Sequence, residues 1–205
     1  NSVLIEMSDH LVLVETPLGD ARTQAVIEQA KTLVPNKPIR YAVNSHAHFD
    51  HSGGIRAAVA EGATVVTMAG NVPYFQSVLA TPNALRPDRM AQAGKAARLQ
   101  GVSGDKGTLS DGARTIELHK ISGGPHSDTM LMVWLPKERL LIEADAYTPL
   151  PPNTPPPATP NANNVNLIEN IERLKLPVDR ILPLHGRVVP LAELYTTAGR
   201  AAPAR

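Results

Sequence analysis

Three of the chain's seven histidines fall within six positions, at His46, His48 and His51, with Asp50 among them. Imidazole nitrogens and carboxylate oxygens are the donors that hold zinc and similar divalent ions where no thiolate is available. Side chains two residues apart in an extended segment point the same way, so His46 and His48 can grip one ion. A sharp turn at Asp50-His51 would aim the next two donors at a second ion nearby. Gly53-Gly54 would let the backbone turn at once without a Cβ clash. A histidine-rich surface loop is the competing explanation, and the position of the cluster at the end of a buried strand argues against it.

Three further donors lie downstream. His126 follows Gly123-Gly124-Pro125, Asp145 closes an apolar run from Leu140 to Ala144, and His185 closes the run Ile181–Leu184. Each has an ordinary explanation when taken alone: a loop histidine, a turn carboxylate, a buried histidine bonded to backbone. A carboxylate ending an apolar strand does need charge partners, or its desolvation is costly. Together, separate strand ends each present a His or an Asp. Five imidazoles and two carboxylates match what two zinc ions require, with positions left for water. His10 starts a strand and His119 sits in an alternating one, and both read as structural or exposed.

The elements that must position these donors follow from pattern. Residues 2–7 and 10–15 form an apolar hairpin around Ser8-Asp9. A helix is expected from Gly19 or Asp20 to about Leu33, ended by Pro35 and Pro38. A buried strand at 39–44 delivers the histidine cluster, followed by a short helix at 55–60 and a strand at 63–67. Helices are expected at 70–79 and 87–99, and strands near 106–109, 113–120, 129–135, 140–144 and 179–184. Helices at 165–175 and 191–200 complete the pattern. Residues 149–160 hold seven prolines in twelve positions. They are therefore a stiff loop of polyproline character. Strands that come early and then alternate with helices suit mixed sheets with helices outside.

The run His46-Ala47-His48-Phe49-Asp50-His51 resembles the H-x-H-x-D-H signature of the metallo-β-lactamase superfamily, and His126, Asp145 and His185 follow in that family's order. The resemblance covers nearly the whole chain, residues 1–205, read as a single domain. It implies an α+β fold, the αββα sandwich, which this chain enters late, with one or two opening strands missing. It implies that His46, His48 and His126 hold one zinc ion, that Asp50, His51 and His185 hold another, and that Asp145 bridges them. Two metals about 3.5–4 Å apart can share a hydroxide, a nucleophile at neutral pH. The expected function is a dizinc hydrolase cleaving a small ester, lactone, lactam or phosphoester. Asp145 would hold the metal pair and Asp50 would orient the hydroxide. Tyr147 would donate to an oxyanion and Arg187 would meet an anionic group of the substrate. Three alternatives stay open: a β-lactamase with all-His/Asp ligands, a mononuclear iron persulfide dioxygenase, and a non-catalytic module keeping the fold. Iron or manganese are the alternative metals. β-Lactam hydrolysis is expected to be a side activity, since few aromatics are available to stack on a drug-sized ring.

Composition narrows the field further. A chain of 205 residues that is 42% hydrophobic can bury a full core. At 3% aromatic residues it offers little for a site built from stacked rings. The net charge is +1 and no Lys/Arg run is present, which speaks against a nucleic-acid partner; the small-molecule substrate is what the resemblance implies. Without cysteine there are no disulfides, thiolate ligands or thiol nucleophiles, so subclasses with a cysteine zinc ligand are excluded. No apolar run approaches the length of about 18 residues that a membrane helix needs. Oligomeric state is not legible. The chain opens on a strand without an initiator Met, so it is expected to be processed or truncated, and this end gives no compartment.

Overall fold

A computed structural model describes residues 1–202. Contacts divide the chain into two compact units, the first made of Asn1–Asp105 and Ser110–Arg114, the second of Lys106–Leu109 and the chain from Thr115 onward. No helix among the described residues is long and apolar enough to cross a membrane.

The first unit begins with β1 (Val3–Glu6) and β2 (Leu11–Val14), the antiparallel hairpin expected around Ser8-Asp9. Then come α1 (Asp20–Leu33), β3 (Ile39–Val43), the single turn α2 (Phe49–Ser52), α3 (Ile55–Glu61), β4 (Thr64–Met68), α4 (Val72–Ala80), α5 (Arg89–Ala93) and β5 (Arg98–Val102). The sheet order is β1-β2-β3-β4-β5, with β1 at the edge. Beyond the hairpin all pairings are parallel, each joined through helical crossovers. Ile27 and Ala30 of α1 pack with Leu11, Leu13 and Ala42 on the strands and with Ala57 and Ala58 of α3. A second cluster joins Ile55 and Val59 to Phe75 and Leu79. Burial of each large side chain is worth about 1.5–3 kcal/mol.

One expectation is corrected here. The helix anticipated over 87–99 stops at Ala93, because Gly94 takes the left-handed conformation (φ +60) and caps α5. Residues 98–102 instead add a parallel strand to β4. The Ala-, Lys- and Arg-rich segment has helix-forming composition, and pairing with β4 overrides that weak preference.

The second unit contains most of β6 (Lys106–Ser110), then β7 (Thr115–Ile121), β8 (Met130–Leu135), β9 (Leu140–Glu143), α6 (Ala162–Arg173), β10 (Arg180–Pro183), β11 (Val189–Pro190) and α7 (Leu191–Thr197). Its sheet runs β11-β10-β9-β8-β7-β6. Strands β7, β8 and β9 form an antiparallel meander, while β10 returns parallel to β9 after α6. Leu167, Ile168 and Ile171 of α6 and Leu194 and Tyr195 of α7 bury against Met130, Met132, Trp134 and Leu141 of the sheet. Asn161 caps α6 by accepting from Asn163 N at 2.8 Å. That cap sets the helix start three residues ahead of the sequence expectation.

Candidate metal-binding residues

In the first unit the donors sit where β3 ends. His46 is fully buried, His48 is exposed, and His46 Nε2 lies 2.9 Å from His48 Nδ1. Ser45 Oγ is 2.9 Å from His46 Nδ1, the ring nitrogen pointing away from His48. His51, on the single turn α2, places Nε2 3.4 Å from Asp50 Oδ2. Its other nitrogen, Nδ1, lies 2.6 Å from Glu15 Oε2. His46 and His48 thus bring ring nitrogens together, and Asp50 and His51 share one helical turn.

Glu15 is the residue that sequence reasoning missed. It is completely buried at the end of β2, with its backbone in the left-handed region (φ +68), uncommon for a residue with a side chain. Its amide donates to Val43 O at 2.9 Å, one carboxylate oxygen accepts from Ser45 N at 2.6 Å, and the other meets His51. One carboxylate therefore fixes both ends of the histidine segment. A carboxylate on the far nitrogen of a ligating histidine sets its ring orientation and raises its basicity. The available signal was an acid directly after four buried apolar residues.

Gly53 and Gly54 are required for a different reason than expected. Neither has a positive φ, at −60° and −103°. A Cβ on Gly53 would lie 2.1 Å from Leu18 O, and one on Gly54 2.0 Å from Thr23 Oγ1. The pair is needed for close approach of the loop after β2 and the start of α1, rather than for conformational freedom.

In the second unit Asp145 lies between two histidines. Its Oδ2 is 3.0 Å from His126 Nε2 and its Oδ1 is 3.0 Å from His185 Nε2. The turn that carries it is held by Glu143, buried at the end of β9, whose Oε2 accepts from Ala146 N at 2.9 Å and Tyr147 N at 3.0 Å. The carbonyl of Glu143 also accepts from Leu184 N at 2.9 Å, immediately before His185. Glu143 was a second omission of the sequence reading.

The donor separations test whether a metal fits. Two nitrogens bound tetrahedrally at about 2.0–2.1 Å from zinc lie about 3.3 Å apart. The gaps of 2.9–3.4 Å within each unit are of that size. The His and Asp side chains are grouped so that they are able to hold metal ions.

The two residues expected from sequence to contact substrate have protein partners of their own. Tyr147 is fully buried in the core of the second unit, with its hydroxyl 3.4 Å from Thr197 Oγ1. Burial pushes that hydroxyl above the usual tyrosine range. Arg187 is held by both oxygens of Glu193, at 3.0 and 2.5 Å, and donates to Leu150 O at 3.2 Å. It ties the proline-rich loop to α7. A cavity of about 490 Å³ lies there, lined by Leu150, Pro151, Pro152, Thr154, Arg187 and Thr196 among others. His10 and His119 take structural places. His10 Nδ1 is 2.6 Å from Asp9, and His119 Nε2 is 2.8 Å from Glu117. Burial lowers the pKa of His119.

The sequence model of the metallo-beta-lactamase superfamily matches residues 1–185. The chain belongs to the metallo-beta-lactamase superfamily. Solved structures agree on the fold. A metallo-beta-lactamase from Pontibacter korlensis superposes with a TM-score of 0.69 at 20% identity, covering 97% of this chain and 85% of its own. A metallo beta lactamase from Hirschia baltica gives 0.67 at 21% identity, covering 100% and 86%. FIM-1 from Pseudomonas aeruginosa, solved in a mono-zinc form, gives 0.66 at 23% identity, covering 97% and 81%. No curated protein matches the chain. The metallo-beta-lactamase fold here comprises two mixed sheets with helices, and the superfamily match spans residues of both units.

Proposed function

We propose that this chain is a metal-dependent hydrolase with a dizinc centre, cleaving a small ester, lactone, lactam or phosphoester. His46, His48 and His126 would hold one ion, Asp50, His51 and His185 the other, and Asp145 would bridge them. The observation that carries this reading is the placement of Asp145, whose two oxygens each face the Nε2 of a different histidine at the same 3.0 Å. A carboxylate divided in this way suits two cations better than one. The donor set is all nitrogen and oxygen, which suits zinc and leaves iron and manganese as the alternatives.

Bound ions of this kind supply a nucleophilic oxygen at neutral pH and a Lewis acid for a carbonyl or phosphoryl group. The protein's own share is positioning. Glu15 and Ser45 engage the Nδ1 atoms of His51 and His46, leaving each Nε2 to face inward. Glu143 fixes the backbone on either side of Asp145. Asp50, with its side chain 46% exposed, can orient a water and accept its proton. The proline-rich loop, tied by Arg187, would form one wall for substrate, and the absence of aromatic residues on it favours compact or extended substrates over ring-shaped drugs.

Metal quantification by mass spectrometry after zinc loading should approach two per chain. A panel of activated esters, lactones, phosphoesters and β-lactams should show metal-dependent turnover, with kcat/KM lowest for the β-lactams. A firm value of one iron, with oxidation of a persulfide, would replace this reading by the dioxygenase. A carbapenem cleaved faster than every ester would make β-lactamase the primary activity.

A further inference from the structure

Asparagine is a poor choice inside a helix, because its amide competes for backbone partners. Helix α6 nevertheless carries Asn163, Asn164, Asn166 and Asn170. Asn166 and Asn170 are four residues apart, so they share one face. Both turn to the backbone of one residue, Ser122. Asn170 Oδ1 accepts from Ser122 N at 2.9 Å, and Asn170 Nδ2 donates to Ser122 O at 3.0 Å. Asn166 Nδ2 donates to the same carbonyl at 2.9 Å. Asn170 Nδ2 also reaches Asn166 O at 2.9 Å and Asn166 Oδ1 at 3.3 Å, while Arg173 Nη2 donates to Asn170 Oδ1 at 3.0 Å.

Ser122 is the first residue after β7, and the chain from there to His126 is Gly123-Gly124-Pro125. A side-chain amide that takes both the N–H and the C=O of one residue replaces a strand partner and fixes that residue's orientation. Asn170 is 2% exposed, so water offers little competition for these bonds. The grip continues into the loop. A Cβ on Gly124 would fall 2.9 Å from Asn166 Oδ1, so the backbone at Gly124 runs directly over the amide. Two residues later His126 Nε2 meets Asp145.

We propose that Asn166 and Asn170 are positioning residues for His126, an amide clamp on α6 that aims this donor at the first metal. The inference rests on the dizinc reading above. It gives α6 a role beyond packing: the face turned to Ser122 sets the affinity for one ion of the pair.

Zinc affinity, measured by chelator competition on the full chain, tests it without recourse to turnover. Asn170→Leu should weaken one of the two zinc ions by about tenfold or more, the range seen when groups supporting a ligand are lost. The second ion should be little changed. Leu194→Ala, in the same core on α7, serves as a control for lost stability and should leave both affinities within about twofold of wild type. If Asn170→Leu does not fold, Gly124→Ala keeps both amides and pushes only on the loop, and the same single ion should weaken. Equal affinities for wild type and the clamp variants would overturn the inference and leave the dizinc reading standing. So would equal losses in the clamp and control variants. A wild-type chain that takes up no zinc would overturn both.

Discussion

The two units present their donors in opposite ways. In the first, four candidate ligands occupy six consecutive positions, and the pieces that orient them, Ser45 and Glu15, lie beside them or one strand away. In the second, His126, Asp145 and His185 come from three segments spread over sixty positions. They are held by Glu143, the α6 amides and the pairing of β9 with β10. A contiguous site needs a turn of the right shape, whereas a dispersed one needs an entire sheet in register. The first kind leaves a motif in sequence, and the second leaves only isolated residues at strand ends.

The contrast can be broken most directly at the donors. Asp145→Asn and His48→Ala should each lower turnover by more than about a hundredfold, since losing even a group that supports a ligand costs up to about that much. They should differ in metal content. Losing the charge on Asp145 should deplete both ions, and losing His48 should deplete one. Full metal with wild-type turnover in either variant would remove that residue from the site.

Next in size is Glu15→Gln, which should weaken zinc at the ion served by His51 by about 10–100-fold in chelator competition. If the effect fell on both ions equally, Glu15 would be supporting the whole fold of the first unit instead of one ring. Gly54→Ala sharpens the same comparison at the level of stability. Its methyl would meet Thr23 Oγ1 and Gly19 O, and such overpacking typically costs about 1–3 kcal/mol in denaturant unfolding. A stable Gly54→Ala protein would show that the loop after β2 can move away freely.

The smallest effect concerns Asp88, which caps α5 and pairs with Arg56. The hydrogen bond from Arg56 lowers its carboxyl to about 2 from 3.8. A carboxylate whose folded pKa is depressed contributes stability above its unfolded value and loses it as pH falls. Asp88→Asn should therefore lower Tm at neutral pH, and the gap to wild type should close between about pH 4 and 2. A gap independent of pH would assign the loss to the cap and packing alone.

Much of this was legible in advance, for reasons that can be named. The strand leading to His46 and the apolar runs ending at Asp145 and His185 are short, strongly patterned segments, and they are the elements found. Glu15 was not legible because an acid after an apolar strand looks like any turn residue. Its partners Ser45 and His51 lie 30 and 36 positions away. Strand β5 was hidden by residues that favour helices, and its partner β4 exists only in the folded chain. The surroundings of Tyr147 and Arg187 were not legible, because proximity in sequence to a donor says nothing about facing. Two residues past Asp145 the chain has already turned into the core, and Arg187 is taken by Glu193.

The division of donors also has a consequence for biosynthesis. Glu15, His46, His48, Asp50 and His51 all emerge before Asp145, and His185 follows His51 by 134 residues. At about 5–20 residues per second, that interval is roughly 7–27 s. During it the growing chain carries a histidine cluster without the complete set of downstream donors, exposed to whatever divalent ions the surroundings hold. On the dizinc reading, loading would be a late event, and early capture should be weak enough to reverse. A nascent chain stalled before Asp145 should bind zinc through the first cluster alone and surrender it to a chelator that leaves the finished protein intact.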